Sequence, residues 1–281
     1  MLTREQLDIF NSEGFLVIKN FYDLNKDIEP IQFGIYNVIG LVIKRHSLAI
    51  NRLPFSPHIF DSGYQDIIAH DRKIGAEIYD AVKQVPAFMR LVGSERHEMI
   101  IKEIRGSQCA GVVTGGYGIR IDNPNEERFS APWHQDYLAH PKSIDGIVFW
   151  SPLIKITPEL GPVEFCVGSH KEGPARVYAR DGQNPEKTGA YGLRLENEEA
   201  LLSKYRHEAP LSEPGDLVIL DFLTLHASGK NTEQRSRWSM QMRMFNFEDP
   251  TGMKIGWRGS FTEGVELKTI FPELVAEEAI R

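Results

Sequence analysis

The chain has 281 residues, 41% of them hydrophobic and 25% charged, with a formal net charge of −7. That length supports one large domain, 1–281, and the acidic balance speaks against a general nucleic-acid binder and against a basic membrane-docking face. Its two cysteines, Cys109 and Cys166, show no CxxC spacing, which speaks against a disulfide framework and a cysteine metal site and makes a reduced, cytoplasmic setting the expectation.

The opening Met1 to Gln6 lacks the basic start and apolar core of a signal peptide. Thr3 followed by Gln6 forms a capping-box pattern that predicts a short helix carrying Leu7 and Phe10, ended by Gly14. Phe15 to Ile18 then reads as a short buried strand. The run Ile31 to Ile43 is too short to span a bilayer and reads as a buried helix. The region from about Ile28 to Glu103 is expected to be mainly helical. Within it Ile74, Ile78, Val82 and Val85 fall on one helical face, with Pro86 as the expected stop.

After Gly106 the texture changes to short apolar runs punctuated by Gly, Pro and Asn. These are Gly111–Val113, Tyr117–Ile121, Gly146–Trp150, Val163–Val167, Asp216–Phe222 and Trp238–Phe247. Such spacing predicts a β-sandwich or barrel. The expected fold is therefore mainly β with flanking helices: a helix-rich part over about 1–105 outside a barrel core over about 106–250. Strand signals lapse between Lys171 and Pro210, and a segment of that length inside a compact domain reads as a lid-like insertion, 171–210. The cluster Gly115-Gly116-Tyr117-Gly118 lacks the Lys-Ser/Thr of a phosphate loop and reads as a turn.

Candidate chemistry centres on His134-Gln135-Asp136. In an extended segment residues two apart point to one face, so His134 and Asp136 can aim at one point. A second imidazole would complete a two-His, one-carboxylate set, which leaves three adjacent positions open on a cation such as Fe(II). His226 follows 92 residues later, after the buried-strand pattern Leu217 to Leu220. The stretch Arg237 to Met244 alternates cleanly, with Arg237, Ser239, Gln241 and Arg243 on one face and Trp238, Met240, Met242 and Met244 on the other. In a barrel backed by helices the polar face lines a cavity, where an arginine needs an anion to offset its desolvation.

Together His134-Gln135-Asp136, His226-Ala227-Ser228 and Arg237, eleven positions after His226, resemble the phytanoyl-CoA dioxygenase family. The opening Leu2 to Gln6 and Gly14 to Phe21, the turn Gly161 to Lys171, and Pro214-Gly215-Asp216 are similar to that family as well. The resemblance implies a double-stranded β-helix (jelly-roll, cupin-like) core and a non-haem Fe(II), 2-oxoglutarate-dependent dioxygenase. It implies that His134, Asp136 and His226 are the metal ligands and the catalytic centre, with Arg237 and Ser228 holding the distal carboxylate of 2-oxoglutarate. It further implies O2 as co-substrate, release of succinate and CO2, and, because Asp136 is a carboxylate, hydroxylation or a related oxidation such as desaturation or cyclisation rather than halogenation. Arg120 and Asp122, two apart on the strand before the metal motif, are candidate substrate contacts, as are Gln108, Tyr137, His140, Trp150 and Arg243. These polar candidates suggest a small polar metabolite or natural-product intermediate as substrate, and the oligomeric state is left open. Two other readings share the scaffold: a cupin-like metalloenzyme (hydrolase or isomerase) that does not use 2-oxoglutarate, and a non-catalytic binding module.

Overall fold

The computed structural model describes residues 1–178, 192–258 and 267–276. The Thr3 capping box is formed, and it opens α1 (Arg4–Glu13), which Gly14 ends in the left-handed region at φ 84°. The chain turns directly into β1 (Phe15–Ile18). Five helices follow: α2 (Glu29–Arg45), α3 (Tyr64–His70), α4 (Arg72–Val82), α5 (Pro86–Val92) and α6 (Glu95–Arg105). The periodicity of Ile74, Ile78 and Val82 holds on α4, but the helix ends at Val82, before Val85. Pro86 does not stop it; it opens α5, where a missing N–H costs nothing and the fixed φ suits the first turn.

The strands then come in the predicted places: β2 (Ala110–Val112), β3 (Gly118–Asp122), β4 (Ile147–Pro152) and β5 (Val163–Cys166), with a single helical turn α7 (Asp136–Ala139) between β3 and β4. Beyond lie β6 (Val177–Tyr178), β7 (Arg194–Leu195), α8 (Glu198–Leu202), β8 (His207–Glu208), β9 (Leu217–Asp221), β10 (His226–Ser228), β11 (Arg237–Asn246) and β12 (Val275–Ala276). One sheet runs β1-β9-β4-β11-β2, with β3 also on β11, and a second runs β10-β5-β8. These antiparallel sheets form the jelly-roll core, with helices packed outside. The first sheet draws in a strand from outside 106–250, since β1 pairs with β9, while β12 pairs with β6 in a third sheet of order β12-β6-β7. The 171–210 stretch is less bare of strands than its composition suggests, because β6, β7 and β8 lie in it. Residues 179–191, within the stretch expected to be lid-like, lie outside the described residues.

The long strand β11 organises the site. Its even-numbered face packs on the helices: Trp238 sits 5.0 Å from the Tyr64 ring and 5.6 Å from Phe60, both edge-on. Its odd-numbered face looks between the two sheets. There Arg237 lies opposite Asp122 and Ser239 opposite Arg120 on β3, while Gln241 and Arg243 lie opposite Trp150 and Val148 on β4. Among the described residues no helix is long and apolar enough to cross a membrane.

Candidate active site

His134 and His226 face each other across an antiparallel bridge. The His134 N–H donates to His226 O at 3.0 Å and the His226 N–H to His134 O at 3.1 Å. Their ring centroids are 4.2 Å apart. Each Nδ1 meets a carbonyl two residues earlier, Pro132 O at 2.7 Å and Thr224 O at 2.9 Å. A carbonyl only accepts, so Nδ1 carries the proton in both rings and Nε2 the lone pair. The turn before His226 is held from several sides. Asp221 Oδ1 accepts the Leu223 N–H at 2.8 Å, Thr224 Oγ1 donates to Gly14 O at 2.7 Å, and Ser169 Oγ accepts the Leu225 N–H at 2.9 Å.

Asp136 departs from the extended run expected for it, since the chain turns into α7 there. Gln135 is still extended (φ −114°, ψ 137°), so one extended residue separates the two side chains and they project to the same side. Asp136 is 2% exposed. Its Oδ1 accepts from Arg243 Nε at 2.8 Å, while Oδ2 lies 3.5 Å from His226 Nε2 and has no hydrogen-bond partner among the described residues. One ligand atom from each of His134, Asp136 and His226 falls within 4.8 Å of the others. A buried carboxylate oxygen left without a donor is costly. A divalent cation among that oxygen and the imidazole nitrogens satisfies it, and the donor set suits a first-row transition metal.

Burial pushes His134 down to about 3, with neighbouring His226 acting the same way, and burial lowers His226 too. Burial, the largest single influence, opposes ionisation of Asp136, yet Arg243 together with His226, His134 and His140 outweighs it and holds the carboxyl well below the usual range. Buried His97, lowered to about 4 by desolvation, behaves as the site histidines do. A histidine kept neutral by burial contributes its full stability above the ordinary value near 6.5, and that contribution drains away as pH falls toward the folded-state value. The metal-free protein is therefore expected to lose stability as pH falls from 7 to 5, as read by the urea midpoint. A flat midpoint across that window contradicts three buried neutral imidazoles.

Arg237 is 1% exposed. Its Nε and Nη2 donate to Asp122 Oδ2 at 3.2 and 2.9 Å, and its Nη1 donates to Gly161 O. Arg120 reaches the same carboxylate, Nε to Asp122 Oδ1 at 2.8 Å, so one aspartate sits between two guanidinium groups. Burial alone would raise Asp122, but Arg120 and Arg237 bring it below its ordinary value. Arg120, Trp150, Arg237, Arg243 and Ser228 line one cavity of about 40 Å³ together with His134 and His226. A larger cavity of about 320 Å³ shares Ala131, Ala227 and Ser228 with it and is lined also by Asp122 and Trp133.

Other expected contacts lie elsewhere. Gln108 is exposed near the start of β2, with its N–H on the Glu248 carboxylate at 2.8 Å, and lines neither cavity. Tyr137 is buried in the core beside Phe271, 5.8 Å between centroids, since one step along α7 turns it about 100° from Asp136. His140 closes that turn, its N–H bonded to Asp136 O at 3.0 Å.

Sequence reasoning passed over Gln135. Its buried carboxamide donates to Leu223 O at 2.7 Å and Gly173 O at 3.0 Å and accepts from the Ala175 N–H at 2.7 Å. It ties the His134–Asp136 segment to the turn before His226 and to the start of the 171–210 stretch. A glutamine between two ligands carries no local signal of this, because its partners are main-chain groups distant in sequence.

Fold and site together define a double-stranded β-helix protein with a two-histidine, one-carboxylate cluster between its sheets. The phytanoyl-CoA dioxygenase (PhyH) family profile matches residues 10–239, and the chain belongs to that family. No curated protein matches the sequence. Among solved structures, EctD from S. alaskensis with 2-oxoglutarate and 5-hydroxyectoine is similar at 16% identity and TM-score 0.55, covering 87% of this chain and 76% of that one. The carbocyclase SnoK from nogalamycin biosynthesis is similar at 14% identity and TM-score 0.56, covering 87% and 84%. AviO1 from Streptomyces viridochromogenes Tue57 is similar at 14% identity and TM-score 0.55, covering 89% and 98%. At these identities the likeness is one of fold.

Proposed function

We propose that this chain is an Fe(II)- and 2-oxoglutarate-dependent dioxygenase that hydroxylates a small polar metabolite or natural-product intermediate. The observation that carries the reading is the unpartnered, buried Oδ2 of Asp136 beside two imidazoles whose Nδ1 atoms are both committed to carbonyls, in one cavity with Arg237. His134, Asp136 and His226 would hold the iron, and Arg237 with Ser228 would hold the distal carboxylate of 2-oxoglutarate. When bound, iron and 2-oxoglutarate supply the oxidation: O2, the keto acid and a substrate C–H become succinate, CO2 and a C–OH. The chain's share is to bind, orient and keep water out. Arg120 and Trp150, on the cavity wall, would meet the substrate. The similar solved structures include a carbocyclase; the carboxylate at position 136 speaks against halogenation, and analysis of the product separates hydroxylation from a related oxidation such as cyclisation.

The test is an anaerobic titration of the metal-free protein with Fe(II) and then 2-oxoglutarate, followed by visible absorption. A weak charge-transfer band that appears with the keto acid, and disappears in His226→Ala, is the expected result. Iron binding with no band defeats the reading and leaves a cupin-like metalloenzyme that makes no use of 2-oxoglutarate.

A further inference from the structure

A carboxylate can give a cation one oxygen or two, and the difference decides what else can bind. On a six-coordinate ion with two histidines, one oxygen leaves three positions, enough for a chelating keto acid and one further ligand; two oxygens leave one too few. Some feature of the chain must choose between them at Asp136.

We propose that Arg243, seated by the main-chain carbonyl of Gly116, restricts Asp136 to a single coordinating oxygen and so keeps the third position open. The inference rests on the function proposed above and makes Arg243 a positioning residue, not the substrate contact its place on β11 suggests. Its Nε takes Oδ1 of Asp136 at 2.8 Å, and Oδ2 alone is left without a hydrogen bond beside the imidazoles. Arg243 is 9% exposed and is itself tied down. Its Nη1 donates to Gly116 O at 3.1 Å and its Nη2 to Gln241 Oε1 at 3.4 Å. The Arg243 carbonyl accepts the Val113 N–H at 2.9 Å, and the Gly116 N–H closes the following turn onto Val113 O at 2.9 Å.

The glycine cluster between β2 and β3 acquires a purpose from this. A Cβ on Gly116 would lie 2.7 Å from Val113 Cγ1 and 2.8 Å from Val113 Cβ, so a side chain there would push the carbonyl off Arg243. Position 116 needs glycine because the turn folds its main chain onto Val113, the residue whose N–H is bonded to the Arg243 carbonyl. Arg243 then acts as a fork, whose planar geometry pins an oxygen where a lysine would offer only a mobile point charge.

The test uses Mn(II) as the probe and counts the water molecules on the bound ion by water-proton relaxation, with no turnover involved. Arg243→Met should still bind Mn(II) but carry one water fewer than the unsubstituted protein, because the freed Oδ1 joins the ion. Its affinity for 2-oxoglutarate, read from the Fe(II) charge-transfer band, should fall at least tenfold. Gly116→Ala should move both readouts in the same direction by less, and Arg243→Lys should restore them in part. An unchanged water count in folded Arg243→Met overturns the proposal, whether or not 2-oxoglutarate binding suffers, since loss of affinity alone would mean that Arg243 touches the keto acid directly. Loss of Mn(II) binding in a folded variant also overturns it. Should Arg243→Met fail to fold, Gly116→Ala carries the same two readouts. If the unsubstituted protein binds iron yet shows no band, the functional reading fails, while the water count still judges Arg243.

Discussion

Asp136→Ala is expected to abolish turnover, to remove tight metal binding and to destabilise the metal-free protein at the same time. The first two follow from the donor set. Two neutral imidazoles remain, but the only anionic ligand is gone, and a hard-to-borderline divalent cation loses both a bond and its charge balance. The third follows from Arg243. With Asp136 truncated, a guanidinium that is 9% exposed keeps Gly116 O and Gln241 as partners but loses its counter-charge. Breaking one side of a buried pair costs about 3–5 kcal/mol. For a chain of this size that lowers the melting temperature by about 10 °C. Relief of the unpartnered Oδ2 works the other way and trims the loss. The double variant Asp136→Ala/Arg243→Met should recover most of the stability, since neither charge is then buried alone, and none of the metal affinity. Calorimetric melts and an Fe(II) titration of the three proteins check this. Asp136→Ala with near-normal iron affinity would remove Asp136 from the ligand set.

What the sequence revealed of this arrangement was whatever depends on neighbours within about ten residues. The alternation of β11, the Thr3 capping box and the strand signals after Gly106 are local patterns, and each reappears in the fold. That His134, Asp136 and His226 come together was legible, because metal ligation calls for those residue types and the family resemblance supplied their order. Register was not legible. Nothing near Arg237 says that Asp122 lies opposite it, because the β3–β11 pairing joins strands more than a hundred residues apart. Arg120 and Asp122 thus read as two free polar groups, while the fold makes them one buried ion pair shared with Arg237. Pro86 was ambiguous for a different reason, since proline is excluded inside a helix but favoured at its first turn, and only the break after Val82 decides which applies. Gln108 and Tyr137 are polar, and polarity alone does not say which way a side chain faces. The chain turns Tyr137 inward on α7 and leaves Gln108 exposed just before β2.

Arg237→Ala separates the proposed oxygenase from a metalloenzyme that shares its barrel. Five N–H donors radiate from a guanidinium, and the contacts with Asp122 and Gly161 use three of them. The remaining N–H bonds, one on each terminal nitrogen, can take a second carboxylate end-on without releasing Asp122. Asp122 therefore serves as the fixed wall against which Arg237 is oriented, and its sharing with Arg120 leaves the cluster one positive charge in excess. Removing a buried partner of a charged ligand group costs about 2–5 kcal/mol, which corresponds to roughly 30- to 4,000-fold in dissociation constant. The expected result for Arg237→Ala is a loss of 2-oxoglutarate affinity in that range with iron affinity held near that of the unsubstituted protein. Arg237→Lys should recover only part of the loss, because an ammonium cannot meet Asp122, the Gly161 carbonyl and a ligand carboxylate in one plane. The titration is the same anaerobic one, read as the concentration of 2-oxoglutarate that half-develops the charge-transfer band. An unchanged half-point in Arg237→Ala would take the keto acid out of this cavity, and the buried Arg120–Asp122–Arg237 cluster would then be structural, a device that holds β3 on β11 and nothing more.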